Sequence, residues 1–106
     1  MLEHFTQSIT VHVDSEIADS DEIPVGIYDS ITIFCPSTGG LINVAVYAAP
    51  QIGGDYSALY DSTGAAVATP TMTSGGAYTL SFQGKALKAI KLLGNTDDDL
   101  DVTLKT

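Results

Sequence analysis

Arginine and tryptophan are missing from the 106 residues, cysteine occurs once, and four lysines stand against 13 acids, leaving a formal charge of −9. So few cations cannot build the phosphate-neutralising surface that nucleic-acid affinity needs, and an anionic lipid surface is an equally poor partner. The expectation is no nucleic acid and no membrane. A single cysteine, Cys35, excludes an internal disulfide framework and any multi-cysteine metal site, so stability is left to packing. No apolar run approaches the length of a bilayer span, and Met1-Leu2-Glu3-His4-Phe5 has neither the basic nor the apolar region of a secretion signal. The chain reads as soluble and made in the cytosol, reaching the outside only as part of a larger particle.

What is present is enough for one core. Leu, Ile, Val and Phe number 28, above the level at which a charged chain fails to collapse, and the length suits one domain over 1–106. Period-two alternation dominates, with breakers about every ten residues, the pattern of an all-β antiparallel sandwich or barrel. Ile9, Val11 and Val13 alternate with Ser8, Thr10 and His12. After the carboxylates of Asp14, Glu16, Asp19, Asp21 and Glu22, Ile23, Val25 and Ile27 alternate around Pro24 and Gly26, which suits a sheet edge. Ile31, Ile33 and Cys35 share one face of the next strand, with Thr32 and Phe34 on the other.

Pro36 to Gly40 is a turn by composition. Leu41 to Ala49, apolar on both faces, belongs in the middle of the fold. Tyr56 to Tyr60 alternates into a hairpin-like turn, Asp61-Ser62-Thr63-Gly64, which leads to Ala65–Ala68. Tyr78, Leu80 and Phe82 form a further strand. Over Ala86 to Leu93 a helix competes, but glycines at 84 and 94 and a length of eight favour a strand. Leu100, Val102 and Leu104 close the chain. Eight or nine strands are implied, without the fixed period of a solenoid or propeller.

The chemistry is sparse. His4 and His12 share even parity, opposite the apolar face of the first strand, and read as exposed strand residues. No nucleophile elbow is visible and no arginine is there to bind an oxyanion, so an enzyme ranks below a binding or structural module. Asp97, Asp99 and Asp101 repeat the first three ligand positions of a calcium loop, but Val102 replaces the needed glycine and no closing glutamate follows. A solvated turn is the stronger reading, and neither a metal nor a cofactor is expected. Cys35 reads as a buried structural thiol. Lys85, Lys88 and Lys91 concentrate three of the four cations in seven residues, as edge-protecting lysines or a docking surface for an acidic partner. Tyr56 and Tyr60, beside turns, are the tyrosines best placed to reach a surface.

The succession Asp55-Tyr56, Leu59-Tyr60-Asp61-Ser62-Thr63-Gly64 and Ala86-Leu87-Lys88-Ala89-Ile90-Lys91-Leu92, followed by Asn95 and the Leu100–Leu104 strand, resembles small virion proteins of tailed bacteriophages. The likeness covers roughly residues 23 to 104 and lies in core and turn positions; Ala89 stands where the family has an aromatic. It implies a jelly-roll β-sandwich of about eight strands on a phage particle, as a capsid decoration or cement protein bound to the major capsid protein on the outer head surface. A homo-oligomer, expected as a trimer, would multiply weak contacts into avidity. Under that resemblance Leu2, His4 and Phe5, in an N-terminal arm over residues 1–8, are candidate capsid or subunit contacts, together with Tyr56 and Tyr60. The alternatives are a carbohydrate-binding sandwich using the same tyrosines, and a tail or head-fibre component.

Overall fold

Stretches of alternating apolar and polar residues become eight strands in a computed structural model that describes residues 6–36, 40–41, 43–82 and 87–106. They are β1 (Thr6–Val13), β2 (Ile23–Pro24), β3 (Ser30–Phe34), β4 (Val44–Ala49), β5 (Ser57–Ala58), β6 (Ala77–Ser81), β7 (Ala89–Gly94) and β8 (Asp98–Lys105), with one 3-10 turn at Ile17–Asp19. β1 pairs with β8, β2 with β7, β3 with β6 and β4 with β5, all antiparallel and nested as in one long hairpin. Further pairing of β3 with β8 and β4 with β7 rolls that hairpin up. The result is two four-stranded sheets, A in the order β1-β8-β3-β6 and B in the order β2-β7-β4-β5. That is the strand order of a jelly roll, as expected.

The core lies between the inner faces. Val11, Val13, Ile31, Ile33, Leu100, Val102 and Leu104 from sheet A meet Ile23, Val44, Val46, Ile90 and Leu92 from sheet B, each at most 4% exposed. Since successive side chains of a strand point to opposite faces, burial of these sets sends Ser8, Thr10, Thr32, Phe34, Asp101 and Thr103 to the outside of sheet A. The segment where a helix competed is strand: Ala89 and Ile90 are consecutive and both fully buried, which befits an interior strand covered on both sides. Cys35 is a buried free thiol just past β3, and its Sγ–H points at the Leu41 carbonyl at 3.7 Å.

Several boundaries differ from the sequence expectation. β4 begins only at Val44, although Leu41 is buried, and Tyr56–Tyr60 contracts to the two residues of β5. The turn Asp61–Gly64 holds as expected: Asp61 Oδ1 accepts the Thr63 and Ala65 N–H groups, Gly64 takes a positive φ of 86°, and Tyr60 bridges to Ala66. Asp99 and Asp101, expected in a solvated turn, lie with Asp98 inside β8, because His12, Thr10 and Val13 pair with them. Of the arm placed at 1–8, Thr6 to Ser8 pair with Lys105 to Thr103 inside β1, and Met1 to Phe5 lie outside the described residues.

Candidate functional site

The outer face of sheet A is a plaque of hydroxyls. Ser8 Oγ and Thr103 Oγ1 share a hydrogen bond of 2.9 Å, as do Thr32 Oγ1 and Thr79 Oγ1, and Thr10 Oγ1 donates to Asp101 Oδ1 at 2.9 Å. These cross-strand bonds hold short side chains flat against the sheet, with few rotatable bonds left to freeze on contact with a partner. Phe34 stands out from this surface, 44% exposed, beside a shallow depression of about 560 Å³ floored by Ser8, Thr10, Asp101 and Thr103. A large aromatic on a polar plaque is the pattern of a contact anchor.

The outside of sheet B is strapped by its own loops. Lys91, on the outward side of β7, donates from Nζ to the Ile17 carbonyl at 3.2 Å and lies 5.0 Å from the centre of the Tyr56 ring. Tyr56 Oη donates to Glu22 Oε2, which also accepts the Gly53 N–H at 2.8 Å. The tyrosine hydrogen bond, then the Gly53 amide, hold the Glu22 carboxyl below its ordinary range. Burial first, and the adjoining carboxylate second, push the Tyr56 phenol up. Both directions describe one clasp: an ionised Glu22 accepting from a phenol that keeps its proton.

At the end of sheet A near that loop, His12 sits between two carboxylates. Its Nδ1 lies 3.0 Å from Asp99 Oδ1 and its Nε2 3.4 Å from Asp14 Oδ2. The Asp99 hydrogen bond is the main reason that the imidazole is raised above its ordinary range, against some desolvation. Asp14 is lowered, chiefly by the Glu16 N–H and also by His12. Each ring nitrogen of the imidazole is thus taken by a different aspartate. Among the described residues no group of three His, Cys, Asp or Glu is arranged to hold a metal, and no helix is long and apolar enough to cross a membrane.

The two tyrosines singled out from sequence are not equivalent. Tyr56 is half-buried and engaged on its ring and hydroxyl, whereas Tyr60 is 58% exposed, next to a hollow of about 370 Å³ lined by Pro50, Leu59 and Leu87. Leu2, His4 and Phe5 lie outside the described residues, as does Lys85. Lys88 is exposed, and Lys91 belongs to the strap. Sequence reasoning missed the Glu22–Tyr56–Lys91 clasp, which joins positions 34 and 35 residues apart and leaves no local signal. Phe34 was legible: its parity already set it on the polar side of its strand.

The chain matches no protein-family model and no curated protein at a significant level. Among solved structures it is similar to the crystal structure of the SPBc2 prophage-derived protein YomS, at 14% sequence identity and a TM-score of 0.60, over 100% of this chain and 97% of that one. At that identity the likeness is one of fold.

Proposed function

We propose that this chain is a structural protein of a bacteriophage particle, a decoration or cement protein that binds the major capsid protein on the outside of the head and reinforces the lattice. The observation that carries the reading is the outer face of sheet A, a hydroxyl-rich surface on which Phe34 is the one large exposed apolar group among the described residues. Such a face forms many weak contacts on a repeating lattice, and repetition turns them into avidity. The fold likeness to a prophage-derived protein agrees with a phage origin, as does the sequence resemblance. Binding rather than catalysis fits a His12 held between carboxylates. Sugar binding through Tyr56 is disfavoured, because Lys91 covers its ring and Glu22 holds its hydroxyl.

Mass analysis of purified particles, with co-sedimentation on emptied heads, tests this. The expected result is on the order of hundreds of copies per particle and a lower heat threshold for genome release when the protein is absent. Phe34→Glu should weaken head binding about tenfold or more while the melting temperature stays put. About a dozen copies or fewer would point to a tail or fibre part, and equal release thresholds would remove the cementing role.

A further inference from the structure

Among the described residues, β1 is a sheet edge that the chain closes at its C-terminal end alone. At the C-terminal end His12 N–H donates to Asp21 Oδ2 at 2.7 Å, Asp21 N–H donates to the His12 carbonyl at 2.9 Å, and Asp14 N–H donates to Ser20 Oγ at 3.0 Å. These bonds fix the parity of the edge. Even-numbered residues of β1 turn their N–H and C=O away from β8, so Thr6, Ser8 and Thr10 present theirs where, among the described residues, sheet A has no further strand.

Proteins normally blunt such edges with short strands, proline or lysine, because an open ladder pairs with whatever strand arrives. Sheet B follows that rule: its edge strands β2 and β5 have two residues each, and β2 contains Pro24. Thr6 to Thr10 follows none of it, being five residues long with no charge and no proline. Directly below, where the rims of the two sheets meet, lies a hollow of about 440 Å³ lined by Ile9, Ile23, Pro24, Ile27, Tyr28 and Leu104. Ile27, on its wall, is 70% exposed. An open ladder beside an apolar hollow supplies both parts of strand addition, main-chain bonds for affinity and a recess for alternate side chains.

We propose that the added strand is β1 of a second copy of this chain, antiparallel about a two-fold axis at Ser8. In that register Thr6 meets Thr10 of the second copy and Ser8 meets its counterpart, so outward-facing N–H and C=O groups meet their like positions and the ladder closes. The distribution of charge permits this occupant. Two chains of −9 approach along a strip that carries no charge on either side. Within each sheet, Lys105 stands beside Thr6 and Asp101 beside Thr10, so the two rows in which Thr6 meets Thr10 run from a lysine of one copy to an aspartate of the other, and the row through Ser8 runs from Thr103 to Thr103. The two hollows then adjoin, and Ile9 and Ile27 leave water. Such an isologous contact closes on itself and yields a dimer rather than a fibre.

Equilibrium sedimentation of the full chain, from micromolar to millimolar concentration, tests the pairing in the absence of any phage head. The expected result is a reversible monomer–dimer equilibrium. Ser8→Pro should abolish it, because the deleted N–H points away from β8 and makes no bond among the described residues, and an edge strand tolerates proline there. Ile27→Glu, at a site too exposed to endanger folding, should raise the dimer Kd about tenfold or more. Should Ser8→Pro fold poorly, Ile27→Glu alone decides the matter. A chain that stays monomeric throughout, a trimer, or a dimer that Ile27→Glu leaves unchanged would each overturn the inference. The capsid reading stands apart: loss of head binding with an intact dimer would sink that reading and leave this one.

Discussion

On the outside of β7, Lys91 is clasped between the Ile17 carbonyl and the Tyr56 ring, whereas on the outside of β3, Phe34 stands in water over a row of hydroxyls. The inner faces of the two sheets do the same work with the same residue types. Their outer faces diverge because the connections of the roll fall unevenly. The long acidic connection 14–22 and the loop 50–56 join over sheet B at Glu22, while the outer face of sheet A is held by cross-strand side-chain bonds and the acidic connection meets that sheet at the His12 end of β1. A chain that must be soluble alone and adhesive in an assembly can divide those tasks between faces, shielding one with its own loops and leaving the other for a partner.

If that comparison holds, the point where the sheets are knit should be the most sensitive to change. Gly94 closes β7 under the end of β1, with its N–H donating to the Asp14 carbonyl at 2.9 Å. A Cβ there would lie 2.6 Å from Leu41 Cδ1, 2.9 Å from the Thr96 carbonyl oxygen and 3.0 Å from Val13 Cγ1. The leucine tip can rotate, but the carbonyl is backbone and cannot yield without moving the turn. Gly94→Ala should therefore cost about 1–3 kcal/mol by urea denaturation. Gly40→Ala, whose nearest neighbour is the Thr96 methyl at 3.7 Å, should cost far less. Equal effects would mean that the junction is slack and the two sheets are not held as one body.

Much of this arrangement was legible. Alternation alone fixed which side of Ile9–Val13, Ile31–Cys35 and Leu100–Leu104 faces the core, because a one-residue slip would turn every apolar side chain to water. The glycines at 84 and 94 told strand from helix at β7 for a local reason, since breakers limited its length. What local pattern does not encode is partnership at long range. That His12 faces Asp99, or that Tyr56 reaches Glu22, depends on how the hairpin rolls, and those pairs lie 87 and 34 residues apart. The acids at 97–101 read as a solvated turn for the same reason: only the pairing with β1 draws Asp98 and Asp99 into a strand.

Acidity separates the two faces next. His12 is raised above 6.5 in the folded chain, so its contribution is fully present below the unfolded value and is lost as pH rises through the folded one. Glu22 is lowered below 4.5, so its contribution is present above the unfolded value and is lost as pH falls through the folded one. Moving down from neutral pH should first tighten the His12 end of sheet A and only later release the strap on sheet B. Urea midpoints of the parent chain and His12→Gln, compared at about pH 8 and about pH 5.5, should differ more at the lower pH. A gap that narrows on acidification would remove His12 from the account.

The smallest expected effect is the sharpest test of the contrast. Thr32 and Thr79 share a hydroxyl–hydroxyl bond of 2.9 Å across β3 and β6 on the open face. In Thr32→Val the shape is kept, β-branching still suits the strand, and the Thr79 hydroxyl left behind can turn to water. Stability should change by no more than about 0.5 kcal/mol in either direction. Tyr56→Phe on the other sheet removes a single hydroxyl too, but it strands an ionised Glu22 with the Gly53 N–H as its remaining protein donor and loosens two loops at once. Its urea midpoint should fall clearly below that of Thr32→Val. If the two variants prove equally destabilised, the hydroxyl plaque is part of what holds the roll together, and a face that the fold needs for itself is a poorer candidate for one kept free for a partner.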